Sequence, residues 1–120
     1  MAEHNETGIL GEELASKFLE EKNYQIIERN WRWHKYEIDI IALDKDVLVF
    51  AEVKTRSNGS GENPKEAITK RKQKLILEAA NAYIEESGLE YEARIDVLSV
   101  VLKQNKADIE HIIDAFGPEF

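Results

Sequence analysis

Cysteine is absent from the 120 residues, so neither disulfides nor thiolate ligands hold this chain together, and any metal must be bound through oxygen or imidazole. No apolar run reaches the length of a signal-peptide core or a membrane span, and Met1 to Thr7 is polar. The expectation is a cytoplasmic protein with no membrane partner. Repeats, linkers and low-complexity tracts are missing too, and 42% hydrophobic content at this length suits a single domain over residues 1–120. An excess of positive charge is also lacking: the formal net charge is -8, which argues against a general nucleic-acid coat protein.

The charge is unevenly spread. Between Glu52 and Lys74, seven basic residues (Lys54, Arg56, Lys65, Lys70, Arg71, Lys72, Lys74) stand against three acidic ones, so the segment carries +4 and the rest -12. A local basic patch on an acidic protein can steer a polyanion, and a solvated lysine-rich helix face has the same composition.

Apolar residues at helical spacing (Leu10, Leu14, Ala15, Phe18, Leu19) predict a first helix from about Gly8 to Lys22. Tyr24 to Arg29 reads as a strand, followed by a basic-aromatic stretch, Asn30 to His34, in which Trp31 and Trp33 share a face if it is extended. Ile38 to Leu43 and Val47 to Lys54 form a predicted hairpin. Ser57 to Asn63, with Gly59 and Gly61, reads as a mobile loop, and Pro64 suits the first turn of a long helix running to about Glu86 and closed by Ser87 and Gly88. Ile95 to Leu102 predicts a strand covered on both faces, and Ile109 to Ile113 a short edge strand. This order predicts an α/β fold with a central mixed β-sheet flanked by helices.

Side chains alternate along a strand, so Leu48, Phe50, Glu52 and Lys54 are expected on one face of the second hairpin strand. In the strand before it Glu37, Asp39, Ile41 and Leu43 share a face by the same rule. A two-residue turn at Lys45 and Asp46 sets Asp39 directly opposite Glu52, with β-carbons roughly 5 Å apart, whereas a bulged three-residue connection shifts that pairing. Two carboxylates so placed repel each other and lose hydration unless a cation or a shared proton compensates, and a hard cation such as Mg²⁺ or Mn²⁺ fits oxygen ligands best. Lys54 then stands beside the cation, able to orient water or stabilise charge developing on a phosphate. The bland alternative makes Glu52 and Lys54 ordinary ladder-edge charges, with Asp39 paired to Arg56 or Lys54. Glu12, at helical spacing from Ala15 and Leu19, flanks the buried stripe of the first helix, while Glu13 points to solvent.

These residues carry a resemblance. The segments Gly11–Ala15, Glu28–Asn30, Glu37–Asp39, Phe50–Arg56, Arg94–Val97 and His111–Phe116 resemble the YraN-like family of small bacterial endonuclease-like proteins along nearly the whole chain. The resemblance implies a restriction-endonuclease-like core of the PD-(D/E)xK type, similar to archaeal Holliday-junction resolvases. There a helix glutamate, a strand aspartate and the ExK pair surround a divalent metal. Those roles fall on Glu12, Asp39, Glu52 and Lys54, with Glu12, Asp39 and Glu52 as ligands. The family usually has Gly where this chain has Tyr36, a departure that bears on substrate access more than on metal binding.

Further residues have two readings each. Trp31, Arg32, Trp33, His34 and Tyr36 interleave rings with charge, as a surface stacking unpaired bases does, and the two Trp equally suit core packing. Arg56, Lys70, Arg71, Lys72 and Lys74 are candidate phosphate contacts. Lys72 falls four residues after Ile68, on the apolar side of the predicted helix, where its stem can also lie along the core. The expectation is a Mg²⁺- or Mn²⁺-dependent endonuclease acting on DNA ahead of RNA, on branched or single-stranded structures, as a homodimer in the manner of two-fold resolvases. The alternative keeps the fold without cleavage, as a nucleic-acid-binding module or a protein–protein adaptor.

Overall fold

The computed structural model describes residues 6–57 and 68–117. In chain order the elements are helix α1 (Glu6–Glu21), strands β1 (Gln25–Trp33), β2 (Tyr36–Asp44) and β3 (Val47–Ser57), helix α2 (Lys70–Ser87), and strands β4 (Glu92–Leu102) and β5 (Ala107–Phe116). The strands form one sheet in the order β1-β2-β3-β4-β5. Only β3 and β4 run parallel, as a strand–helix–strand crossover requires, and the other neighbours are antiparallel. The predicted mixed sheet flanked by helices is therefore present.

Alternation along the strands sorts the core into two layers. Leu48, Phe50, Ile95 and Val97 pack with Ile76, Ala79, Ala80 and Tyr83 of α2. Val49, Ala51, Leu98 and Val100 pack with Ala15 and Leu19 of α1. Covering β3 and β4 on both faces is why their sequences read as near-continuous apolar runs. Each fully buried Leu, Ile or Phe contributes about 1.5–3 kcal/mol relative to exposure.

Several boundaries differ from the sequence reading. The basic-aromatic stretch is not a separate segment: β1 continues through it to Trp33, which pairs with Tyr36 across a two-residue turn. Helix α2 begins at Lys70, because Thr69 is extended and its side chain accepts the Lys72 backbone N–H as an N-cap. Ile68 thus precedes the helix, buried, and sets no helical phase for Lys72. Pro64 and most of the Ser57 to Asn63 loop lie outside the described residues. The helix closes as expected, with Gly88 at φ 70° donating its N–H to Ile84. The edge strand is ten residues long, twice the expected run. No described helix is long and apolar enough to cross a membrane.

Candidate acidic site

The β2–β3 hairpin turns at Lys45 and Asp46, with Asp44 paired to Val47 and Lys45 in the left-handed region at φ 57°. This is the two-residue connection expected to set Asp39 opposite Glu52. The ladder runs as far as Ile40↔Ala51 and stops one step short of them, whereas β1–β2 pairing continues to Trp33↔Tyr36 and β3–β4 pairing to Ser57↔Leu102. The two strands therefore part at the carboxylates. The Val53 backbone N–H donates to Asp39 Oδ2 at 2.8 Å, so a side chain takes the place of the ladder. The expected shared face of Glu37, Asp39, Ile41 and Leu43 is broken at the same point, since Ile38 and Ile41 both enter the α2-side core. Residues three apart cannot share a face of a regular strand, and the break falls where the β2–β3 pairing ends.

Asp39 and Glu52 are each only 7% exposed. Burial drives the Asp39 carboxyl well above its ordinary value of 3.8, and the neighbouring Glu52 charge pushes it further. Glu52 is likewise raised by burial above 4.5, although the Tyr36 hydroxyl and the charges of Lys72 and Lys54 pull it back. Tyr36 donates to Glu52 Oε1 at 2.8 Å, and Lys72 Nζ lies 4.0 Å from Glu52 Oε2. Its own burial, and after that the neighbouring Glu52 carboxylate, hold the Tyr36 hydroxyl far above its ordinary value of 10.0.

Glu12 arrives from α1. A Cβ on Gly11 would stand 1.9 Å from Thr55 Oγ1, so only glycine lets the helix lie this close to β3. The next residue, Glu12, is 8% exposed and accepts from Asn30 Nδ2 at 2.8 Å, with Arg29 Nη2 3.9 Å away; Glu13 is exposed. Asn30 sits in the left-handed region at φ 53°, a conformation asparagine tolerates better than most residues. The Glu12 charge raises both Asp39 and Glu52, yet no group of three Asp, Glu or His side chains among the described residues has metal-holding spacing. The oxygen donors that suit a hard cation are thus the Asp39–Glu52 pair, with Glu12 held by Asn30 at its margin.

The other candidates divide. Lys54 is half-buried on β3 and acts on Glu52 by its charge. Arg56 is half-buried two residues on. Lys70, Arg71, Lys72 and Lys74 are exposed on the first turns of α2. Arg71 and Lys72, but not Lys74, line a cavity of about 650 Å³ together with Trp33 and Tyr36. Trp31 takes the core reading, edge-on to Tyr83 at 5.1 Å, while Trp33 both packs against the core and borders the cavity. Sequence reasoning missed the Tyr36 and Asn30 contacts. The signals were a ring at the position where the resemblance expects Gly, and an Asn inside a strand.

It also missed a second polar cluster. Asp96, fully buried, accepts from Arg94 at 2.9 and 3.2 Å and from the Asp114 amide at 3.0 Å, and its Oδ2 lies 2.7 Å from His111 Nε2. Lys22 Nζ lies 2.9 Å from His111 Nδ1. A lysine ammonium can only donate, so Nδ1 accepts and the Nε2–H points to Asp96. This cluster ties the end of α1 to β4 and β5.

A mixed five-stranded sheet with helices packed on its two faces, and a buried carboxylate pair where two strands part, defines an α/β protein built around an acidic site. The chain belongs to the uncharacterised protein family UPF0102, whose model matches residues 11–100. That span runs from Gly11 to Val100 and includes Glu12, Asp39, Glu52 and Lys54, in keeping with the YraN-like resemblance. The chain is 44% identical over 116 residues to a UPF0102 protein of Christiangramia forsetii, a match covering 97% of this chain and 98% of the relative. A UPF0102 protein of Flavobacterium psychrophilum is 42% identical with the same coverage, and one of Chlorobium chlorochromatii is 43% identical over 95% of this chain and 93% of its own.

Proposed function

We propose that this protein is a Mg²⁺- or Mn²⁺-dependent endonuclease of the restriction-endonuclease-like type, hydrolysing phosphodiester bonds in branched or single-stranded DNA. The observation that carries the reading is the Asp39–Glu52 pair: two buried carboxylates side by side, destabilised in their charged forms, with the charges of Lys54 and Lys72 beside them. A structural pair of this kind costs stability unless a cation or a shared proton compensates it. When bound, a divalent cation supplies Lewis-acid polarisation of a phosphate and makes water a better nucleophile. Asp39 and Glu52 would hold it. Val53 N–H fixes the Asp39 carboxylate, and Tyr36 orients Glu52 through Oε1. Lys54 stabilises negative charge as it grows on the phosphate, and Glu12 adds to the local negative field from the helix side.

Calorimetric titration of Mg²⁺ and Mn²⁺ into the parent, Asp39→Ala and Glu52→Ala tests the reading, followed by cleavage assays on single-stranded, branched and duplex DNA. Binding and cleavage in the parent, both abolished by either substitution, is the expected result. Binding unchanged by both substitutions would refute the assignment of the pair.

One observation favours a second reading, a nucleic-acid-binding module that does not cut. Glu12 is engaged by Asn30 and Tyr36 engages Glu52, which leaves fewer oxygen atoms for a cation than three converging carboxylates offer. DNA binding without cleavage in Mn²⁺ would select it.

A further inference from the structure

The cavity beside the carboxylate pair has a lining at odds with the protein around it. Its volume of about 650 Å³ lies in the range of small-ligand sites. Trp33, His34 and Tyr36 give it aromatic surface, His34 meeting the Trp33 ring edge-on at 4.5 Å, and Leu75 gives apolar surface, while Lys35, Arg71 and Lys72 give it three cations. No carboxylate is among the described residues that line it, in a chain whose net charge is -8. An acidic peptide would satisfy the cations and leave the indole uncovered. A nucleotide presents a flat π-face and an anion together, which matches both halves of the lining.

The cavity also reaches the acidic site. Tyr36 and Lys72 belong to its lining, and they are the same two residues that engage Glu52, at 2.8 and 4.0 Å. A phosphate among Lys35, Arg71 and Lys72 therefore lies one side chain away from the carboxylates. Bases inside a duplex are stacked on one another and cannot offer a face to Trp33, so the lining selects a nucleotide that is unpaired.

We propose that this cavity is a subsite for one unpaired nucleotide of a single-stranded DNA segment, with the base on Trp33 and the phosphate among Lys35, Arg71 and Lys72. Its role in feeding a strand to the carboxylate pair rests on the phosphodiesterase reading, but its occupancy does not. The subsite works without a divalent cation.

The test is fluorescence anisotropy with a labelled short oligothymidylate and a duplex of equal length, in EDTA at low salt. The oligothymidylate should bind the parent about tenfold tighter than the duplex, Trp33→Ala should lose about tenfold, the scale of one lost stack, and Trp33→Phe should recover most of it. Arg71→Ala should lower the salt dependence by about one phosphate's worth, a slope change of roughly 0.7. Because Trp33 also packs against the core, thermal melts accompany each variant; Arg71 is exposed, and its variant decides the matter if Trp33→Ala unfolds. Equal affinity for duplex, no binding by the parent, or an Arg71→Ala variant indistinguishable from it would overturn the proposal. Single-strand binding with no cleavage in Mn²⁺ keeps the subsite and removes the phosphodiesterase reading, and cleavage without single-strand preference does the reverse.

Discussion

Replacing Gly11 by alanine tests how the acidic site is assembled. In an exposed helix this change stabilises by about 1 kcal/mol, since glycine is a poor helix former. Here the three nearest atoms to the new methyl are all in the Thr55 side chain: Oγ1 at 1.9 Å, Cγ2 at 2.7 Å and Cβ at 2.8 Å. Rotating Thr55 relieves Oγ1 or Cγ2, but Cβ is fixed to the backbone, so α1 must lift from β3. Overpacking of this kind costs about 1–3 kcal/mol, and with Cβ immovable the upper end applies. Subtracting the helix gain leaves a net loss of about 2 kcal/mol, or roughly 5–10 °C in Tm. Urea and thermal unfolding followed by circular dichroism would measure it. The sharper form is a double-mutant cycle with Thr55→Gly, which removes all three close atoms. Gly11→Ala should destabilise the parent and stabilise the protein that already carries Thr55→Gly. The same sign in both backgrounds would refute the claim that this contact sets the helix on the strand.

Two further outcomes follow from the buried charges. Asp39 and Glu52 have folded pKa values raised above 3.8 and 4.5, so the folded state holds more protons than the unfolded one between those values and the folded ones. Without divalent cation, stability should therefore fall as pH rises through that window, and Asp39→Asn should flatten the fall; a metal-free melting profile already flat there in the parent would contradict the pKa directions. Asp96 runs the other way: burial pushes its carboxyl up, but the hydrogen bonds from His111, Arg94 and the Asp114 amide outweigh it and hold the group below 3.8. Its contribution is present above 3.8 and lost as pH falls through the folded value, and Asp96→Ala should cost about 2 kcal/mol at neutral pH by leaving the buried His111 Nε2–H and the Asp114 amide without their acceptor, while Arg94 keeps Asp44 at 3.2 Å and the Tyr24 hydroxyl; a loss under about 1 kcal/mol in urea unfolding would show the cluster to be dispensable.

Local patterning carried most of the architecture. The apolar spacing in α1 and α2, the alternation in β2 and β3 and the unbroken run in β4 each place an element, because burial periodicity is written residue by residue. The nearness of Asp39 and Glu52 was legible as well, from the two-residue turn, but not their direct pairing, because the ladder stops at Ile40↔Ala51. Helix α2 was misjudged at its start because Pro64 and Thr69 are both acceptable N-terminal signals, and only the chain's path shows that Thr69 caps the helix. The length of β5 was underestimated because an edge strand alternates weakly and is bent at Asp114, φ 55°.

What the sequence by itself determined is the set of elements, their order and the carboxylates that two neighbouring strands bring together, since these depend on contacts a few residues apart. What only the tertiary structure decided is who stands around those carboxylates. Asn30 on Glu12, Tyr36 and Lys72 on Glu52, and His111 on Asp96 join residues from different elements. Their meeting depends on where β2 parts from β3 and how closely Gly11 lets α1 approach, which follow from the packing of the whole sheet rather than from any local pattern.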